Sequence, residues 1–183
     1  MSAAVAFLGL GRMGAPMAAN LAVAGHQLIL YDRTAATAAS LAAMGQHVVH
    51  LGDIGTGSIV KLTVNNVIYA LGNALSESLV LVERAGLDRE LVYDVFEHSA
   101  VAAPMVGYRR RAYLGPEDAP AAFAMTLARK DLRLITELAG TVGLQLTQAE
   151  ANLSLYDRAI ATGLGEGDMA DTAGYLRRSA APS

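Results

Sequence analysis

The sequence predicts an α/β unit followed by an all-α unit. Three observations carry this reading. Two short continuous apolar runs, Val5–Leu10 and Gln27–Tyr31, flank an Ala-rich segment with helical spacing, which is a βαβ pattern. A third run with β-branched residues at its centre, His47–Leu51, adds one more strand. From Ile59 onward apolar residues recur at helical spacing, and no later run reads as a strand. The expected architecture is a truncated βαβ unit with a small parallel sheet over residues 1–54. A helical unit built on one long helix follows over 55–183.

Val5–Leu10 lacks the apolar/polar alternation of a half-exposed strand, so it fits a strand buried on both faces. The helix after it spans Ala15–Ala24, with Pro16 in the first turn, where a missing N–H costs little. The second strand closes at Asp32, and Thr34 can cap a short helix reaching Met44. Residues 52–57 are glycine-rich and read as a loop. The long helix is expected over Ile59–Ala85, roughly 40 Å at 1.5 Å per residue. Asp88 caps a helix reaching His98, and another covers Pro104–Tyr113. After a loop at Gly115–Pro120, helices are expected at Ala124–Val142, Gln148–Thr162 and Met169–Arg178, the last capped by Asp168. The tail from Ser179 is expected to fray.

Composition narrows the functional classes. The chain has 183 residues, 53% hydrophobic and 17% charged, and its mean hydropathy is +0.34. That excludes a disordered chain and is ample for a core without staples. Zero Cys removes thiol catalysis, cysteine-based zinc sites and a disulfide scaffold. A net charge of −3 offers no basic surface for nucleic acid. No apolar run approaches the roughly 18–20 residues of a membrane span. The start lacks a basic segment before its first apolar run, so no signal peptide is expected. A cytoplasmic protein with no nucleic-acid or membrane partner is the expectation.

Gly9, Gly11 and Gly14 form G-x-G-x-x-G between the first strand and the first helix. The first glycine permits the tight turn, the second lets a pyrophosphate approach the backbone, and the third lets helix pack on strand. An anion then meets the free N–H groups and the dipole at the helix N-terminus. Three turn glycines in a helix-rich protein would be the plainer reading, but here a strand precedes, a helix follows, and the second strand ends in an acid. Asp32 is placed to bind the ribose 2′-hydroxyl of NAD, whereas Arg33 and Thr34 suit the 2′-phosphate of NADP. The acid would repel that phosphate, which leans the reading towards NAD.

Lys61 and Asn65 lie four apart on the long helix and share a face among apolar neighbours. A lysine there can donate a proton to a carbonyl or alkoxide, and the asparagine can hold that ammonium or a substrate hydroxyl. On spacing alone, a snorkelling lysine and a structural asparagine are the favoured reading. Lys130-Asp131, by itself, reads as a solvated pair of opposite charges.

Three stretches together resemble the β-hydroxyacid dehydrogenase family, which includes the 3-hydroxyisobutyrate dehydrogenases. The first is Phe7-Leu-Gly-Leu-Gly-Arg-Met-Gly-Ala-Pro-Met-Ala-Ala-Asn-Leu21. The second is Gly55-Thr-Gly-Ser-Ile-Val-Lys61-Leu-Thr-Val-Asn65-Asn66, followed by Glu77 and Gly86-Leu-Asp88. The third is Leu127-Ala-Arg-Lys130-Asp131-Leu132, with Gly163-Leu-Gly-Glu-Gly-Asp168 closing the match. The resemblance implies a hydride transfer between a nicotinamide cofactor, NAD or NADP, and a small 3-hydroxy acid. Lys61 would be catalytic, Asn65 would help place the substrate, and Lys130 would contact the cofactor near the nicotinamide. Gly9, Leu10, Gly11, Arg12, Met13, Gly14, Asp32, Arg33 and Thr34 would bind the dinucleotide. Pairing of the helical units into an obligate homodimer is also implied.

The sequence departs from the family in one respect. It passes from the second strand and its helix directly to what resembles the family's last strand, so the second βαβαβ half and its Ser-Gly-Gly loop are missing. Ser40 and Ser58 do not match that loop. An internal deletion is therefore expected, with the nicotinamide side of the site lacking a wall and turnover impaired. Two other readings stand beside the dehydrogenase: a non-catalytic nucleotide-binding or dimerisation module, and an imine-reductase-like variant, disfavoured by the retained Lys61.

Overall fold

The computed structural model describes residues 5–8, 14–25, 28–32, 47–51, 53, 55–115 and 121–179. The chain divides into two compact units, Met1–Lys61 and Leu62–Ser183. The helix expected over Thr34–Met44 lies outside the described residues, as does most of the loop up to Pro120.

In the first unit β1 (Val5–Leu8), β2 (Leu28–Asp32) and β3 (His47–His50) form a three-stranded sheet in the order β1-β2-β3. Both pairings are parallel, with Val5 opposite Leu28 and Ile29 opposite His47. Parallel neighbours require a crossover, and between β1 and β2 this includes α1 (Gly14–Val23). β3 stops one residue short of the expected end, and the last two residues expected in β1 lie outside the described residues.

The long helix α2 runs Thr56–Arg84, three residues earlier than its apolar spacing indicates. Its first turn is tied down by polar groups rather than packing. The Thr56 hydroxyl and N–H both donate to the Asp53 carbonyl, at 2.7 and 3.2 Å. At the other end Gly86 takes a left-handed φ of 80°. The Leu87 N–H then reaches the Val82 carbonyl and the Gly86 N–H reaches that of Glu83, which satisfies carbonyls left open by the last turn.

α3 (Arg89–Glu97) begins as expected at Asp88, whose carboxylate accepts from the Leu91 N–H at 2.9 Å. α4 (Pro104–Leu114) starts on its proline, and α5 covers Met125–Thr141. α6 (Thr147–Ala159) ends earlier than the expected Thr162, because Ile160–Leu164 widens into a π-turn. The last expected helix also divides. Asp168 caps only a single 3₁₀ turn, Met169–Asp171, after which α7 runs Thr172–Ser179. One antiparallel bridge, Ala124 with Asp168, breaks the all-helical expectation for this unit.

The core of the helical unit gathers Tyr69, Leu75 and Leu79 of α2, Tyr93 of α3, Met105, Val106 and Tyr113 of α4, Leu132 and Ile135 of α5, and Tyr156 of α6. At Gly72 α2 is closely approached by its neighbours. A Cβ there would stand 2.9 Å from both the Tyr113 hydroxyl and the Met169 Cε. Tyr113 uses that proximity to donate to the Gly72 carbonyl at 3.1 Å. Deeper in, Ser76 and Thr172 share a 2.7 Å hydrogen bond between α2 and α7.

At the rim, Glu83 of α2 receives two hydrogen bonds from Arg177 of α7, at 2.6 and 2.7 Å, and Arg89 stands 3.7 Å away. The Arg177 hydrogen bonds, helped by the charges of Arg177 and Arg89, hold the Glu83 carboxyl below the usual glutamate range. A lowered folded-state pKa stabilises fully above the unfolded value and less as pH falls through the folded one. Glu83→Gln should therefore lower the melting temperature near neutrality. The gap from wild type should close below about pH 4. Thermal unfolding across the acid range checks this, and a gap that stays constant with pH would contradict it.

Candidate active site

Asn65 and Tyr69 follow one another at four-residue spacing on α2, so their side chains share a face. Both meet Asp131 of α5. The Asn65 Nδ2 donates to Asp131 Oδ2 at 2.7 Å and to the Tyr69 hydroxyl at 3.2 Å. The Tyr69 hydroxyl donates to the same Oδ2 at 2.9 Å. Asp131 is only 4% exposed, so its charge needs these donors. Burial, then the negative charge of Asp131 and the hydrogen bond to it, push the Tyr69 phenol far above its ordinary pKa. Tyr69 is thus a neutral donor throughout the physiological range. Both N–H groups of the Asn65 amide are committed, which leaves its Oδ1 to accept.

The expected solvated pair at 130–131 is half right. The Lys130 side chain is 65% exposed and its Nζ stands 4.0 Å from Asp131 Oδ1, but Asp131 is buried. The helical period separates the two: residue 131 falls on the same buried face of α5 as Ala128, Leu132 and Ile135. A deviation from the hydrophobic pattern was the available signal, since an acid stood at a core position of α5.

Asn65 and Tyr69 line one end of a cavity of about 250 Å³ within the helical unit. Ile68, Met105, Phe123 and Met169 give it a mostly apolar wall, and Tyr108 and Arg109 add polar groups. Arg109 is 7% exposed and paired with Asp168. Asp168 also accepts from the backbone N–H groups of Ala122 at 2.9 Å, Phe123 at 3.2 Å and Ala170 at 2.9 Å. Asp131, Tyr69, Arg109 and Asp168 were all missed as site residues from sequence. Arg109 sits inside an Arg109-Arg110-Arg111 run that reads as surface, and only folding buries its first member.

Lys61 is half-buried on α2, one helical turn before Asn65. Gly14 opens α1 and Asp32 closes β2. Gly9, Leu10, Gly11, Arg12, Met13, Arg33 and Thr34 lie outside the described residues. No group of His, Asp and Glu suited to a metal ion occurs among the described residues.

A family model described as the NAD-binding unit of NADP-dependent 3-hydroxyisobutyrate dehydrogenase matches residues 55–176. A second, the NAD-binding domain of 6-phosphogluconate dehydrogenase, matches 4–83. The chain belongs to the β-hydroxyacid dehydrogenase family. Glyoxylate/succinic semialdehyde reductase 1 of Arabidopsis thaliana is 29% identical over 126 residues, which are 69% of this chain and 43% of the relative. The 2-(hydroxymethyl)glutarate dehydrogenase of Eubacterium barkeri is 30% identical over 130 residues, 70% of this chain and 43% of the relative. The match thus spans under half the length of these relatives. Among solved structures, 3-hydroxyisobutyrate dehydrogenase from Salmonella typhimurium shares the fold at a TM-score of 0.69 and 17% identity, covering 94% of this chain and 99% of that one. The Mycobacterium tuberculosis enzyme follows at 0.64 and 18%, covering 97% and 100%.

The Asp131 cluster makes a stability prediction. Tyr69→Phe keeps the ring, which packs against Phe123 and Tyr156, but removes a hydrogen bond to a charge. The expected cost is roughly 1.5–3 kcal/mol. Asp131→Asn should be destabilising too. The double variant should lose less than the sum of the singles, by about 0.5–3 kcal/mol. Urea unfolding of the four proteins measures the coupling, and strict additivity would mean that the two groups do not act together.

Proposed function

We propose that this chain is an NAD(P)-dependent oxidoreductase acting on a small 3-hydroxy acid, with NAD preferred over NADP. The observation that carries the reading is the Asn65–Tyr69–Asp131 cluster at the end of a small cavity in the helical unit, in a chain matched by two nicotinamide-binding family models. The order of elements in the first unit supports a dinucleotide site. β1 leads to a helix opening on Gly14, and β2 ends on Asp32, where an acid can take a ribose hydroxyl. When bound, the nicotinamide supplies or accepts the hydride. Lys61 then acts as general acid or base at the substrate oxygen. Asn65 holds the substrate hydroxyl through its Oδ1, and Tyr69 and Asp131 hold Asn65. Lys130, exposed on α5, contacts the cofactor. That the relatives named as reductases or dehydrogenases act on aldehydes or hydroxy acids agrees with this substrate class.

In this reading the chain has lost the second half of the nucleotide-binding unit from within. The two family models overlap at 55–83, and the structural match runs across 99% of the Salmonella enzyme. Turnover is then expected below the usual range of about 1–10³ per second. The short span against the relatives also favours a second reading, a non-catalytic nucleotide-binding or dimerisation module.

The test is nicotinamide absorbance with the purified chain, a 3-hydroxy acid, and NAD or NADP. Lys61→Ala should lower kcat/KM by about 10²–10⁴-fold while nucleotide binding is kept. Equal turnover by wild type and variant would remove Lys61 from its role. Binding without any turnover would favour the module.

We also propose a homodimer through α2. Val64, Val67 and Leu81 are exposed, and with Ala74 they form a stripe at heptad-like spacing, small in the middle and apolar at the ends. Light scattering at micromolar concentration should give twice the chain mass. Val67→Glu with Leu81→Glu should give the monomer, and a monomeric wild type would refute the pairing.

A further inference from the structure

Among the described residues, Arg109 is the one ionic side chain on the wall of the cavity. A guanidinium keeps its charge at all accessible pH and presents five N–H donors. At 7% exposure it cannot satisfy them with bulk water. Asp168 accepts from its Nη2. That carboxylate is heavily committed, because Ala122, Phe123 and Ala170 donate to it as well. The Arg109 Nε is buried with no partner. Among the described residues, then, Asp168 serves one nitrogen of the group and no other acceptor serves the rest. A buried guanidinium on a cavity wall, with N–H groups left over beyond the one Asp168 takes, matches a carboxylate. The volume, about 250 Å³, lies below the usual span of drug-sized pockets and suits an acid of a few carbons.

We infer that Arg109 is the specificity-determining residue of this site, reading the carboxylate of a small acid whose reacting carbon lies towards Asn65. The inference rests on the dehydrogenase reading for the substrate's hydroxyl end, but not for its carboxylate end. Asp168 is a positioning residue in this scheme. It orients the guanidinium and, through the Phe123 N–H, fixes the wall opposite α2.

The experiment measures binding apart from turnover. The full chain is titrated calorimetrically with 3-hydroxypropionate and with its uncharged amide. Wild type should bind the acid at least about tenfold more tightly, as a charge-assisted pair requires. Arg109→Lys keeps a cation for Asp168 but loses the planar edge, so the preference should fall below about threefold. In wild type, the Arg109 Nε–H resonance should shift on adding the acid and stay in place with the amide. This readout needs no variant to fold. Equal binding of acid and amide by wild type, or a preference that survives in Arg109→Lys, overturns the inference. A chain that binds the acid through Arg109 but oxidises no 3-hydroxy acid upholds the inference and removes the dehydrogenase reading. One that oxidises acid and amide equally well does the reverse.

Discussion

The helical unit is organised around the buried carboxylate of Asp168. An ion taken out of water costs several kcal/mol unless hydrogen bonds replace its hydration. Asp168 recovers that cost from Arg109 and from three backbone N–H groups, at Ala122, Phe123 and Ala170. The arrangement joins segments far apart in sequence. Around it the Met125 N–H reaches the Gly167 carbonyl, the Thr126 N–H that of Gly165, and the Met169 N–H that of Phe123. These bonds lay the chain entering α5 against the chain entering the 3₁₀ turn. Phe123, Met169 and Arg109 are cavity-lining side chains, and all three are placed by this one junction. Burial, with the neighbouring Asp168 charge adding to it, also raises the pKa of Asp171, so the junction leaves its mark on the next acid along.

The second buried carboxylate, Asp131, works by the same accounting with side-chain donors instead of backbone ones. Buried tyrosines supply much of the polar chemistry of the core. Tyr69 donates to Asp131, Tyr93 to the Val106 carbonyl at 2.8 Å, and Tyr113 to the Gly72 carbonyl. Burial pushes all three phenols upward, as it does that of Tyr156. They are therefore fixed donors, which bury large rings and still answer acceptors that packing would leave bare. Tyr156 lies against Tyr69 edge to face, with its hydroxyl unpartnered. The helix face carrying Asn65 and Tyr69 is thus held by rigid neighbours on several sides.

The helices were legible because their signals are local. The 3.6-residue apolar period located α2, Asp88 located the start of α3, and Pro104 that of α4. What failed was local as well. α6 gives way at Ile160–Leu164, where Gly163 takes a left-handed φ of 94°, and the last helix divides at Thr172 after a 3₁₀ turn capped by Asp168. Of the site, Asn65 could be chosen from spacing and resemblance. Asp131 beside Lys130 reads as surface, and the signal against that is its place on the helical face of Ala128, Leu132 and Ile135. Arg109 was hidden in a run of three arginines, two of which stay at the surface: Arg110 pairs with Asp94 and Glu97 over the Tyr93 ring, and Arg111 is exposed. Burial separates chemically identical neighbours, and burial is a property of the assembled fold.

The commitments of Asn65 bear on why the proposed reaction would need a lysine as well. Its amide spends both N–H groups on Asp131 and Tyr69, so it meets a substrate oxygen only as an acceptor. An acceptor suits the alcohol, whose hydroxyl can donate to it. It offers nothing to the carbonyl formed on oxidation, which has two lone pairs and no proton. A donor must stand at the same oxygen to stabilise that state and to return the proton in reduction. An ammonium one helical turn away on α2 is the group able to fill that part. In the proposed reaction Asn65 and Lys61 would be complementary: one would hold the alcohol, the other what the alcohol becomes. The cluster of Tyr69 and Asp131 would set this division of labour, because it commits the Asn65 N–H groups and leaves only its Oδ1 to accept.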